Sequence, residues 1–83
     1  MTLSATLYTR PGCHLCDAAA ASLGRLRARH PHALRLVDIT SQPDLLQRYG
    51  ERVPVLVIGS REYDAPLPAA VLERALQEAN SGC

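Results

Sequence analysis

Two cysteines, Cys13 and Cys16, are separated by two residues and follow directly after the turn-forming pair Pro11-Gly12. A short apolar run precedes them and an alanine-rich segment that favours a helix follows, so both thiols fall where a strand passes into a helix. The first turn of a helix has unpaired backbone N–H groups and a partial positive charge, which favours an anion such as a thiolate. We therefore expect the Cys13 thiol to lose its proton more readily than a free cysteine, whose pKa is about 8.5. Cys16, one turn further on, is expected to be less exposed and to close a disulfide with Cys13.

Metal sites use the same spacing of two cysteines, so the motif alone leaves two chemistries open. Zinc needs about four ligands, and the other candidates are His14 inside the pair, His30 and His32 beyond the helix, and Cys83 at the chain end. No second pair of closely spaced cysteines and no H-x-x-x-H pattern accompanies them. A redox dithiol needs only two sulfurs and a helix start, so we interpret the motif as redox-active and predict no metal ligand. A structural disulfide is the remaining alternative, although no other cysteine framework supports it.

Length and composition limit the classes of protein to which this chain can belong. The 83 residues carry a formal net charge of +1, and this length predicts a single domain over residues 1–83 with a flexible polar tail at 80–83. The near-neutral charge argues against a nucleic-acid binder that works by phosphate neutralisation. No stretch resembles a signal peptide or approaches the roughly 20 apolar residues of a membrane span. We expect a monomer without a membrane partner, located in the cytoplasm. In that reducing compartment such a cysteine pair is more often catalytic than structural.

The hydrophobic pattern predicts the element order βαβαββα. Strands are predicted at 4–9, 34–39, 54–58 and 61–63, and helices at about 15–29, between the cap Ser41 and Gly50, and at 67–79. Leu15 begins the predicted buried stripe of the first helix, and the continuous apolar run of the second strand predicts burial on both faces. Ser41 and Asp44 have the spacing of a capping box. Gly59-Ser60 predicts a hairpin turn between the last two strands.

The segment Tyr8–Cys16, together with Arg52-Val53-Pro54, resembles the glutaredoxins of the thioredoxin superfamily, and the resemblance covers about residues 6–79. It implies an α/β fold of the thioredoxin-like, glutaredoxin-type class: a four-stranded mixed sheet flanked by helices, with the first strand central and a cis Val53-Pro54 peptide. It also implies an enzyme of thiol–disulfide exchange, in which Cys13 attacks a substrate disulfide and Cys16 resolves the mixed disulfide. The implied partners are a disulfide-containing protein or small molecule and a thiol reductant.

The resemblance implies that four further residues lie at the substrate-binding site. The Val53 backbone would pair with the substrate, and Pro54 would lie beside the dithiol. Arg10 matches a lysine or arginine of the glutaredoxins that stabilises the thiolate or meets a substrate carboxylate; a solvated loop arginine is the alternative. His14 would stabilise a neighbouring thiolate when protonated, or else point to solvent.

The segment 64–68 departs from the family pattern where glutaredoxins hold glutathione. Asp64 brings a negative charge, while Pro66 and Pro68 lack backbone N–H groups. We therefore expect no bound cofactor and poor use of glutathione. Two other functions remain open on the same fold: an iron–sulfur or metal-binding module built from Cys13 of two chains with glutathione, and a non-catalytic interaction domain with an unreactive dithiol.

Overall fold

The structure, a computed structural model, describes residues 3–81. In chain order its elements are β1 (Leu3–Thr9), α1 (His14–Leu26), β2 (His32–Asp38), α2 (Pro43–Tyr49), β3 (Val55–Ile58), β4 (Arg61–Asp64) and α3 (Ala69–Ser81). The predicted order βαβαββα is confirmed. None of the helices in the described range is long and apolar enough to cross a membrane.

The four strands form one mixed sheet in the order β2-β1-β3-β4. β1 runs parallel to β2, and β3 is antiparallel to both β1 and β4. The first strand is therefore central, as the resemblance implied. Because β1 and β3 run in opposite directions, the carboxyl end of β1 and the amino end of β3 lie side by side at the same end of the sheet, where Tyr8 pairs with Val55.

Helices cover both faces of this sheet, because alternate residues of each strand point to opposite sides. Leu7 of β1 and Leu56 of β3 belong to the larger core, which α1 and α3 complete with buried leucines and alanines. Val55 of β3 belongs to a smaller core on the other face, with Ile39 and with Tyr49 of α2. Both cores are built from aliphatic side chains and tyrosine, which compensates for the absence of Trp and Phe.

The first helix is shorter than predicted, and its buried stripe is rotated. α1 ends at Leu26, and its buried residues are Cys16, Ala19, Leu23 and Leu26. Leu15 is 63% exposed, so its prediction as a core residue was wrong. Cys16 takes that place because a thiol packs as a small apolar group and lies on the same helix face as the later stripe.

Beyond α1, the chain keeps contact with the last helix through His30. The His30 ring nitrogen Nε2 lies 2.9 Å from Glu73 Oε2 on α3, and the Arg29 guanidinium lies 3.0 Å from the same oxygen. His30 therefore joins the segment after α1 to α3, a contact that the sequence did not predict.

Three other predictions of local structure were wrong. β2 lies at the edge of the sheet, so it is not buried on both faces and Leu36 is 57% exposed. Ser41 does not cap α2, because its hydroxyl donates to the Asp38 carbonyl in a 3-10 turn and Gln42 is the N-cap. α3 begins two residues later than predicted and continues to Ser81, so residues 80 and 81 of the predicted tail are helical. Residues 82 and 83 lie outside the described range.

Candidate active site

The site is built around the start of α1, where Cys13 is the N-cap residue. Gly12 has a φ of +76°, a conformation that glycine adopts without steric cost, and it turns the chain from the strand into the helix. The Cys13 backbone is extended, and its Sγ accepts a hydrogen bond of 3.1 Å from the Cys16 backbone N–H. A backbone donor directed at sulfur favours a thiolate at this position once the disulfide is reduced.

Cys13 and Cys16 form a disulfide across one helical turn, with their Cα atoms 5.2 Å apart. The two sulfurs differ in access to solvent, since Cys16 is 1% exposed and Cys13 is only half-buried. Solvent therefore reaches Cys13 but hardly reaches Cys16. The expected difference in exposure between the two thiols is present in the structure.

Val53 and Pro54 precede β3, at the end of the sheet where β1 leads into the cysteine motif. Their peptide bond is cis, as the resemblance implied. Pro54 is buried and leads directly into Val55, which pairs with Tyr8 near the end of β1. Val53 is partly buried and packs against the smaller core. The sheet register thus brings these two residues to the end of the strand that leads into Cys13.

Arg10 and His14 have different surroundings. Arg10 is exposed, and its Nη1 donates a hydrogen bond of 2.8 Å to the Gly50 carbonyl at the end of α2. This contact ties the loop before Cys13 to α2, so Arg10 uses one guanidinium donor within its own chain. His14 is the first residue of α1 and is exposed beside Cys13.

A cluster of charged and aromatic side chains, which we call the Arg52 cluster, borders the segment before Pro54. Its members are Arg48, Tyr49, Arg52, Glu62 and Asp64. Arg52 Nη2 donates to Glu62 Oε1 at 3.1 Å and to Asp64 Oδ1 at 2.7 Å. Glu62 Oε2 accepts from Arg48 Nη2 at 3.2 Å and from the Tyr49 hydroxyl at 2.8 Å. The cluster therefore fastens the loop that carries Val53 to the edge strand β4.

The electrostatics of the Arg52 cluster follow from these contacts. Hydrogen bonds from Tyr49 and Arg52 hold the pKa of the Glu62 carboxyl below its usual value. Burial, together with the hydrogen bond to Glu62, raises the pKa of Tyr49. The Tyr49 ring also stacks on Tyr8, with ring centroids 4.5 Å apart, and both neighbouring guanidiniums lie over it. This arrangement joins α2, β1 and β4 on the face of the sheet opposite α1.

The pairing of Arg52 with Asp64 was not predicted from the sequence. The available signal was the spacing of Glu62 and Asp64, which places two carboxylates on the same side of one strand. Among residues 3–81, no three His, Cys, Asp or Glu side chains are grouped closely enough to hold a metal ion.

Solved structures of other proteins share this architecture. Mitochondrial thioredoxin 3 of Saccharomyces cerevisiae, in its oxidized form, superposes with a TM-score of 0.70 over 92% of this chain and 77% of that chain, at 17% identity. The fold is therefore thioredoxin-like. The X. campestris protein XcR50 superposes with a TM-score of 0.77 at 40% identity, over 88% of this chain and 95% of that chain.

Residues 4–80 match the family model of the Glutaredoxin-like domain (DUF836), and the chain belongs to that family. The uncharacterized protein Rv0508 of Mycobacterium tuberculosis is 31% identical over 62 residues, which cover 69% of this chain and 64% of that protein. The chain thus spans slightly less than two thirds of the length of this relative.

Proposed function

We propose that this protein is a glutaredoxin-like dithiol–disulfide oxidoreductase that reduces a disulfide through Cys13 and Cys16. The observation that carries the proposal is the asymmetry of the two sulfurs at the start of α1. Cys13 is only half-buried and its Sγ accepts a backbone N–H bond, whereas Cys16 is buried but bonded to Cys13 across one helical turn. A nucleophile needs the first environment, and a resolving thiol needs only the second.

The reaction consists of two exchanges. The Cys13 thiolate attacks one sulfur of the substrate disulfide, so that a new S–S bond forms and the other substrate sulfur leaves as a thiolate. The Cys16 thiolate then attacks Cys13 Sγ and releases the second substrate thiol. The substrate gains two electrons and, from solvent, two protons, while the protein is oxidised to the Cys13–Cys16 disulfide. A thiol reductant reverses this oxidation by the same two exchanges.

The neighbouring residues have proposed roles in holding the substrate. The Val53 backbone pairs with the extended chain of the substrate beside the reacting sulfur, and Pro54 lies next to the dithiol. His14 contacts the substrate from the first turn of α1, where it is exposed. Arg10 holds the loop before Cys13 in place through its bond to Gly50, which supports a positioning role. We place this chemistry in the reducing environment of the cytoplasm, with the protein acting as a monomer.

The test is to trap the mixed disulfide. In a Cys16→Ser variant, exchange should stop after the first step, and a covalent adduct of Cys13 with the substrate should accumulate. The Cys13→Ser variant is the matched control and should form no adduct at Cys16, because that sulfur is buried. Both variants also carry Cys83→Ser, which removes the third thiol, so mass spectrometry of the intact proteins reads both results. Adduct formation in Cys13→Ser at the rate of Cys16→Ser would contradict the assigned roles.

A further inference from the structure

A shallow groove of about 240 Å³ begins at the cysteine motif and extends along α1. One wall is a single face of α1, and the other is the segment between β4 and α3. The lining residues are Leu15, Ala18 and Ser22 on the helix and Pro66, Leu67 and Pro68 on the segment. Leu15, which lies between the two cysteines, is 63% exposed at one end of this groove.

The groove is apolar and offers little to a polar ligand. None of its six lining residues carries a charge. Two of the three residues in the second wall are prolines, so only Leu67 retains a backbone N–H there. The Pro68 carbonyl already accepts the N–H groups of Val71 and Leu72 at the start of α3. The groove therefore suits an aliphatic or aromatic side chain better than a charged or hydrogen-bonding group.

The chemistry of the dithiol determines what can reach this groove. During exchange the substrate is bonded to Cys13 Sγ, and Leu15 is only two residues from that sulfur along the chain. An extended peptide advances about 3.3–3.6 Å per residue, so side chains within three residues of the substrate cysteine lie within about 10 Å of the bond. A polypeptide substrate can thus place a neighbouring side chain in the groove while its cysteine is attached to Cys13.

We propose that the groove binds an apolar side chain of a protein substrate, within three residues of the cysteine that becomes bonded to Cys13. This inference rests on the proposed function and specifies its substrate class: a protein disulfide flanked by an aliphatic or aromatic residue. Glutathione carries two carboxylates and an ammonium group but no apolar side chain, so it cannot use the groove. Leu15 and Ala18 are accordingly specificity-determining residues.

The test compares disulfide-linked dimers of one short peptide that differ at a single position two residues after the cysteine. That position holds leucine, glutamate or lysine. The reduced protein is mixed with each dimer, and the second-order rate constant of disulfide reduction is followed by chromatography. Reduction of bis(2-hydroxyethyl) disulfide, which has no side chain to place in the groove, reports the chemistry alone. We expect leucine to be preferred over glutamate by about five- to tenfold, since partial burial of one such side chain favours binding on this scale.

Two variants locate the preference within the structure. Ala18→Glu introduces a carboxylate into the groove, one turn after the cysteine motif, and should make the lysine peptide the best substrate of the three. Leu36→Glu introduces the same charge at another exposed aliphatic residue, on the edge strand β2, and should leave the leucine-to-glutamate ratio unchanged. The ratio within each variant cancels any change in the intrinsic reactivity of the dithiol.

The possible outcomes separate this inference from the proposed function. Equal rates for the three peptides in an otherwise active protein would overturn the inference alone. A leucine preference that Ala18→Glu leaves intact would overturn it as well, because the preference would then arise elsewhere. Failure to reduce any of the disulfides, including bis(2-hydroxyethyl) disulfide, would overturn the proposed function and this inference with it.

Discussion

Alkylation of the reduced protein should modify Cys13 well before Cys16. The perturbation is iodoacetamide at about pH 6.5, where a free cysteine is almost entirely a thiol. The Cys16 N–H belongs to the first turn of α1, so we expect it to remain directed at Cys13 Sγ when the disulfide is opened. Stabilisation of the thiolate by this donor is the first reason for the difference in rate.

The magnitude follows from two features of the site. A hydrogen bond to a charged acceptor is worth about 1.5–3 kcal/mol, which raises the thiolate fraction at this pH by about 10- to 60-fold. Because a stabilised thiolate is less nucleophilic, the net gain in rate is about 3- to 8-fold. Cys16 is 1% exposed and reacts only after local opening, and each 1.4 kcal/mol or so of opening free energy costs another tenfold. We therefore expect Cys13 to react at least about 30-fold faster than Cys16.

The assay is peptide mass spectrometry of samples quenched over a time course. A Cys83→Ser background removes the third thiol, which lies outside the described residues. Cys13→Ser and Cys16→Ser in that background give the rate of each remaining thiol by itself. Equal rates at the two cysteines, or faster modification of Cys16, would refute the assignment of Cys13 as the nucleophile.

Three further predictions concern glutathione, acid stability and the core. A glutathione mixed disulfide should be turned over poorly, because Asp64 already pairs with Arg52 and the prolines of the adjacent groove wall offer no backbone N–H groups to glutathione. Turnover like that of a glutaredoxin assayed in parallel would contradict this prediction. The Glu62 pKa is lowered from 4.5, so the stability that its contacts provide is complete above that pH and lost as the pH falls through the lowered folded-state value. Between about pH 5 and 3, the midpoint of urea unfolding should therefore decrease less steeply in Glu62→Gln than in the unmodified protein. The same pH dependence in both proteins would argue against this role of Glu62. Leu7→Ala should lower the free energy of unfolding by about 2–5 kcal/mol, whereas Leu36→Ala should change it by less than about 0.5 kcal/mol in the same urea titration.

The sequence predicted the centre of the site because its determinants are local. The cysteine spacing, the Pro11-Gly12 turn and the alanine-rich segment that follows are enough to place Cys13 at a helix start and Cys16 one turn later. The order of the elements was equally accessible, since each has its own hydrophobic period and turn residues. The resemblance to glutaredoxins supplied what these patterns lack, namely the central position of β1.

The remaining features depend on contacts between distant segments. Leu15 and Cys16 both fit an apolar stripe in α1, and only the position of the helix on the sheet decides which is buried. An apolar run such as 34–39 predicts a strand but not its place in the sheet, and β2 proved to be an edge strand. Arg52 pairs with carboxylates ten and twelve positions away, and the spacing of Glu62 and Asp64 does not indicate which arginine they contact.

The central claim, that Cys13 and Cys16 exchange electrons with a disulfide, is tested most directly by the stoichiometry of a single turnover. The fully reduced protein in the Cys83→Ser background is mixed with an excess of bis(2-hydroxyethyl) disulfide in the absence of any other thiol. The account predicts that one equivalent of disulfide is reduced to two thiols for each protein that acquires the Cys13–Cys16 disulfide, and that Cys13→Ser releases none. Release of thiols without formation of that disulfide, or no release from the folded reduced protein, would contradict it.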